Sequence, residues 1–152
     1  MKLFYSAPSF SDIGWLKWGD QETLGIKMLR KEYDHIILLA HGSPDPLWKE
    51  PFESLYHQVS QTYGENNVSL AYMELTAPSL EDVVAKLNKD VRNLAVLPLF
   101  LAIGRHLRHD VPAQIESLQS DELQIELLPP IGDDVLVKQA MQTVVANHLG
   151  KV

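Results

Sequence analysis

Four short apolar runs, each followed by a stretch with helical spacing, constrain this chain more than any other feature. His35-Ile36-Ile37-Leu38-Leu39-Ala40 is the first. It shows no alternation, so it has no polar face to turn to water and reads as a strand covered on both sides. Val68–Glu74 and Leu94–Phe100 are the second and third such runs, and Leu123–Leu128, which alternates more, reads as nearer a sheet edge.

Helices fill the gaps. Trp48, Phe52, Leu55, Val59 and Tyr63 recur at spacings of three and four, and Gly64 is placed to end that helix. Ser79 with Asp82 resembles a capping box ahead of a stripe of Val83, Val84 and Leu87. Asp110 is expected to cap a third helix that holds Pro112 in its first turn and continues through Ile115 and Leu118. Asp133 or Asp134 starts the last helix, with Leu136, Val137, Ala140, Met141, Val144 and Val145 turned inward and Gly150 closing it. The order β-α-β-α-β-α-β-α predicts an α/β three-layer sandwich with a four-stranded parallel sheet and helices on both faces.

At 152 residues this is one domain. Residues 1–34 lack a clean period, carry Trp15 and Trp18 among scattered glycines, and read as an N-terminal extension. Residues 35–152 form the single domain. The chain has no cysteine, which excludes disulfides, thiolate metal sites and thiol nucleophiles. Any metal site must use nitrogen and oxygen. A net charge of -7 argues against nucleic-acid binding. There is no membrane-length apolar run and no secretory pattern at the N-terminus, so the expected location is the cytoplasm and no membrane partner is expected.

Ligands of open parallel sheets bind beyond the carboxyl ends of the strands. Those ends carry His41-Gly42-Ser43, Glu74, Gly104-Arg105-His106 with Arg108 and His109, and Pro129-Pro130-Ile131-Gly132-Asp133. If the first strand is central, with the second and third as its neighbours, His41, Glu74 and His106 converge at one mouth. Two imidazoles and a carboxylate make an open metal site that suits Zn, Co, Ni or Fe. Taken singly, each residue has a plainer role: a solvated loop histidine, a capping acid, a surface histidine beside His109. Gly42 and Gly104 serve either a tight turn with positive φ or the close approach of a flat ligand.

These segments together resemble a known family. Leu39-Ala40-His41-Gly42-Ser43 with Asp45-Pro46 and Pro51-Phe52-Glu53 is similar to the start of the CbiX-type sirohydrochlorin cobaltochelatases. Met73-Glu74-Leu75 with Pro78-Ser79-Leu80 resembles their second segment. Leu97–Leu101, Gly104-Arg105-His106 and Asp110-Val111-Pro112 resemble the third, and Leu128–Asp133 the last. Each motif alone is weak, but four in order over residues 35–149 are specific. The resemblance implies a class II tetrapyrrole chelatase, a lyase of the short single-domain form, with a flavodoxin-like or chelatase-like fold. It implies insertion of Co²⁺, or Ni²⁺ or Fe²⁺, into sirohydrochlorin for cobalamin or siroheme synthesis. The metal is then a substrate, and no organic cofactor is implied. A homodimer with the tetrapyrrole cleft between subunits is implied as well. The family's two histidine ligands map onto His41 and His106, and a carboxylate used by related chelatases maps onto Glu74. The chain departs from the family in its extension and in lacking the His-rich stretch of some members.

Metallation needs a partly desolvated ion and the loss of two pyrrole protons. His41 and His106 are expected to hold the ion, and a neutral imidazole near pH 7 also suits proton acceptance. Glu74 would complete the site or relay protons. The substrate is a polycarboxylate and the protein is acidic, so Arg105 and Arg108 are expected to supply local positive charge, with Lys49 after the first loop. Gly42, Ser43 and Gly104 complete the expected substrate contacts. One alternative is a non-catalytic metal- or tetrapyrrole-binding protein of the same fold. Another is a serine hydrolase using Ser43, against which stands the absence of a Gly-x-Ser-x-Gly elbow.

Overall fold

The computed structural model describes residues 32–150 except Ile103, and of His106 and Leu107 it describes the backbone alone. The reading of residues 1–34 as an extension therefore falls, up to residue 31, outside the described residues. Four parallel strands form one sheet in the order β2-β1-β3-β4: β1 His35–Ala40, β2 Val68–Tyr72, β3 Asn93–Pro98 and β4 Gln124–Leu127. The four runs are thus strands, and the first is central. Four helices alternate with them: α1 Glu50–Tyr63, α2 Leu80–Lys86, α3 Arg105–Leu118 and α4 Val135–Leu149.

Burial explains the unalternating pattern of β1. Ile37 and Leu39 face a core shared with Leu94, Val96, Ala71 and Ile125, covered by α2 through Leu80 and Val83 and by α3 through Val111 and Ile115. Leu38 and Ala40 face the opposite core with Val68, Leu70 and Tyr72, covered by Phe52, Tyr56 and Val59 of α1. With apolar layers on both sides, neither parity of the strand can be polar.

Local signals fix most of the helix ends. Ser79 and Asp82 form the expected capping box, with Asp82 N–H donating to Ser79 Oγ at 3.2 Å and Ser79 N–H to Asp82 Oδ2 at 3.0 Å. Gly64, at φ 94°, ends α1, and Gly150, at φ 63°, ends α4, conformations that cost glycine little. Asp134 starts α4 by accepting the N–H of Leu136 at 2.7 Å.

Three expectations are corrected. The α1 stripe is Phe52, Tyr56 and Val59, while Trp48, Leu55 and Tyr63 are exposed and Trp48 belongs to a separate 3₁₀ turn, Pro46–Trp48. A spacing of three or four fits several neighbouring stripes, and the tilt of the helix on the sheet selects one. Helix α3 starts at Arg105 after Gly104, so Asp110 is not its cap and Pro112 lies inside it, where it removes one N–H from the ladder. Helix α4 buries none of its residues: Leu136, Met141, Val144 and Val145 face out, and Val137 is half-buried.

His35 ties the amino ends of β1 and β2 together. It is 4% exposed, with Nδ1 2.9 Å from the Asn66 carbonyl and Nε2 2.9 Å from Ser69 Oγ. A carbonyl only accepts, so Nδ1 carries the hydrogen and Nε2 accepts from the Ser69 hydroxyl. Burial holds the His35 pKa below the ordinary 6.5, and the Asn66 contact opposes this only in part. The folded state thus binds this proton less readily than the unfolded chain does. The stabilisation is complete above about pH 6.5 and declines as the pH falls below that value. We expect the urea midpoint to drop between pH 7 and 5, and the His35→Gln variant, which cannot titrate, to show a shallower drop. Equal slopes for the two proteins would remove His35 from the acid response.

Candidate functional site

The carboxyl end of the sheet is built by the loops that leave β1, β2 and β3. His41 follows β1 directly and is exposed. Its ring lies against that of Phe100, with centroids 4.2 Å apart and planes inclined at 31°. Phe100 is 7% exposed and belongs to the core, so it offers a rigid apolar wall to the imidazole. The His41 carbonyl accepts from Trp48 Nε1 at 3.2 Å, which draws the 3₁₀ turn back over the strand end. Among the described residues no hydrogen bond engages the His41 ring nitrogens.

The loops after β1 and β2 are clamped together. Ser43 N–H donates to Thr76 Oγ1 at 3.0 Å, and Thr76 Oγ1 donates to the Ser43 carbonyl at 2.9 Å. Between them the chains touch so closely that a Cβ on Gly42 would fall on the Glu74 carbonyl oxygen. Gly42 has no positive φ and is required instead by backbone approach, which neither expected glycine role anticipated. The Ser43 hydroxyl accepts from Asp45 N–H at 3.1 Å and serves its own turn. Glu74 is exposed, one residue before Leu75, which takes φ 58° and is 72% exposed. A non-glycine residue in this region is uncommon and strained.

Beyond β3, Leu99 N–H extends the pairing with β1 by donating to the Leu39 carbonyl at 2.8 Å. Gly104 precedes α3 at φ -80° with open space where a Cβ would stand, so it has neither the positive φ nor the crowding that demands glycine. It supplies no side-chain cap, leaving the first-turn N–H groups without one. Arg105 and Arg108 are exposed in the first turns of α3. The backbone of His106 is the second residue of that helix, while its side chain lies outside the described residues. Among the described residues no three His, Asp or Glu side chains cluster closely enough to hold an ion.

Sequence reasoning missed Phe100, Trp48, Thr76 and Leu75. Phe100 reads as one more strand residue, and its ring contact joins residues 59 positions apart, which no local pattern encodes. Leu47, Trp48, Leu75 and Leu101 give these loops an exposed apolar surface. A cavity of about 960 Å³ lies elsewhere, along the β2 edge between α1 and α2, with Asp34, His35, Asn66 and Asn67 at its amino-end lining. Its lining includes none of His41, Gly42, Ser43, Glu74, Gly104, Arg105 and Arg108.

The model of the CbiX family matches residues 35–148. A protein named sirohydrochlorin cobaltochelatase from Methanosarcina acetivorans is 32% identical over 101 residues, covering 66% of this chain and 75% of its own. One of the same name from Saccharolobus islandicus (strain L.S.2.15) is 27% identical over 128 residues, covering 74% of this chain and 98% of its own. The crystal structure of a putative cobalamin biosynthesis CbiX protein from Marinobacter aquaeolei superposes with a TM-score of 0.66 at 45% identity, covering 78% of this chain and 98% of that one. With a parallel α/β sheet, a histidine at the end of its central strand and a family match over most of its length, this chain belongs to the CbiX family.

Proposed function

We propose that this protein inserts a divalent metal ion, Co²⁺ in the first place and Ni²⁺ or Fe²⁺ as alternatives, into sirohydrochlorin. The observation that carries this reading is His41: an imidazole with unengaged nitrogens, seated on Phe100 at the carboxyl end of the central strand, in a chain similar to proteins named sirohydrochlorin cobaltochelatase. Those names favour a chelatase over a carrier of the same fold. The ion is a substrate here, and no organic cofactor is required. No helix among the described residues is long and apolar enough to cross a membrane, and we place the protein in the cytoplasm. We take it to act as a homodimer with the tetrapyrrole between subunits.

His41 and His106 hold the ion in this reading, in place of part of its water shell, and one of them accepts a pyrrole proton as the ion transfers. Glu74, on the adjacent clamped loop, adds a negative charge that favours the dication. The anionic groups of the substrate need positive charge from a protein of net charge -7. Arg105 and Arg108 supply it at the start of α3, where uncapped N–H groups also favour anions. Gly42, Ser43 and Gly104 line the approach. The exposed apolar side chains of the loops suit the flat macrocycle.

Three sets of variants test these roles under anaerobic conditions, following the visible spectrum of sirohydrochlorin on addition of Co²⁺. His41→Ala and His106→Ala are each expected to lower insertion by about 100-fold or more, the usual scale for loss of an acid-base group. A folded double variant that retained activity would sink the mechanism. Phe100→Leu keeps an apolar core residue but removes the flat wall. It should lower kcat about tenfold with little change in KM, the effect of a misplaced reacting group, and an unchanged kcat would show that His41 needs no such support. Replacing Arg105 and Arg108 together by Gln should raise KM about tenfold or more, as loss of charge-assisted hydrogen bonds does, while Co²⁺ affinity stays the same. Unaltered kinetics would remove both arginines from the substrate site.

A further inference from the structure

The loop between β2 and α2 leaves the sheet along the exit of β1 and then turns back. Met73 N–H donates to the Ala40 carbonyl at 2.9 Å, one step past the last paired residues. The Glu74 carbonyl then abuts Gly42, the residue after His41. Leu75 takes the left-handed φ of 58°, and at Thr76 the side-chain hydroxyl bonds both the N–H and the carbonyl of Ser43. The return limb is tied as well, with the Pro78 carbonyl accepting from Tyr72 N–H at 2.9 Å and Ser79 bridging to Tyr72. Glu74 and Leu75 thus form the tip of a short loop held on both limbs. The tip is strained. A leucine gains nothing from a left-handed backbone that glycine adopts freely, and such a conformation persists only where its surroundings impose it. The constraint next to Leu75 along the chain is the Thr76 hydroxyl.

We propose that Thr76 is a positioning residue of the metal site, its hydroxyl holding the Glu74 carboxylate within reach of an ion on His41. This rests on the roles given to His41 and Glu74 in the proposed function and adds the group that sets the distance between them. The chemistry singles out this side chain. One oxygen accepts from Ser43 N–H at 3.0 Å and donates to the Ser43 carbonyl at 2.9 Å, a task for an atom that is donor and acceptor at once. Both bonds end on the main chain two residues after His41, so they join the loops of the two ligands to each other. They span 33 positions, and no local turn demands them. Without the hydroxyl, the left-handed turn at Leu75 is free to relax, and Glu74 sits beside it. The Glu74 side chain is exposed, so the place of its Cα decides which atoms its carboxylate reaches. Ordering a ligand before the ion arrives lowers the cost of binding, and groups behind the ligands commonly set about tenfold or more of a site's affinity.

Titration of the full chain with Co²⁺ alone, without tetrapyrrole, reads the site directly. Thr76→Val keeps the shape of the side chain and removes both bonds. It should weaken Co²⁺ binding about tenfold, the lower end for loss of an outer-shell partner, with the circular dichroism of the fold retained. Thr76→Ser keeps the hydroxyl and should bind within about twofold of wild type. Where Thr76→Val does not fold, Thr76→Ala removes the same bonds with less bulk and carries the same expectation. Coupling decides the route. In a Glu74→Gln chain, itself expected to bind Co²⁺ more weakly, adding Thr76→Val should cost no more than about a further twofold, because two changes along one path do not add. In the insertion assay Thr76→Val should lower kcat and leave the KM for sirohydrochlorin unchanged. Unaltered Co²⁺ affinity in Thr76→Val, or a loss that Thr76→Ser shares in full, would overturn the proposal. So would the same loss persisting in the Glu74→Gln background, since the hydroxyl would then act by another route. A Glu74→Gln chain that bound Co²⁺ like wild type would remove Glu74 from the site and the proposal with it, leaving His41 and His106 in place. A wild-type chain that bound no Co²⁺ would overturn both this proposal and the chelatase reading. Co²⁺ binding that followed the expected pattern without any insertion would overturn the chelatase reading and leave the role of Thr76 standing.

Discussion

The double-sided burial of β1 is the constraint on which the rest of this molecule depends. Its residues pair with β2 on one edge and with β3 on the other, and its side chains enter two separate cores. A strand so held cannot shift by one residue, because every side chain would change cores. The position of His41 follows from that register. It is the first residue past the last paired position, so the accuracy of the strand becomes the accuracy of the imidazole. The loops repeat the principle on a smaller scale. The Ser43–Thr76 exchange of hydrogen bonds and the contact of Gly42 with the Glu74 carbonyl fix the chain after β1 against the chain after β2. Glu74 therefore holds its distance from the end of the central strand by backbone contact.

Much of this was legible in the sequence, for definable reasons. Strands buried on both faces leave unalternated apolar runs, and all four were found with their ends within about two residues, the usual uncertainty of such assignments. Capping chemistry is local, so the Ser79–Asp82 box, Asp134, Gly64 and Gly150 were readable. The start of α3 was not, because Gly104 caps by position without a side-chain signal, whereas Asp110 ahead of Pro112 imitates a cap followed by an N-terminal proline. The α4 stripe was identified correctly as apolar, but periodicity states only that a face avoids water. It does not state which surface meets that face. The site divides in the same way. His41 and Glu74 follow strand ends and were legible as candidates. The Phe100 ring beneath His41 and the left-handed Leu75 arise from tertiary contact and were not.

A chelatase faces a requirement that a resident metal site does not: it must release the ion it binds. Metal-binding histidines usually donate their second ring N–H to a carbonyl or carboxylate, which fixes the ring and makes it a stronger ligand. His41 is oriented differently, by the face of Phe100, and among the described residues its nitrogens remain unengaged. A ring contact restricts the direction of the imidazole and engages neither of its nitrogens. In the proposed reading this separates two properties that a hydrogen bond would couple. The ligand is aimed, which lowers the cost of ordering it around the ion, yet its affinity stays modest, and the second nitrogen is left to take a proton. In that reading the four pyrrole nitrogens of the macrocycle outcompete such a ligand, and transfer runs in one direction.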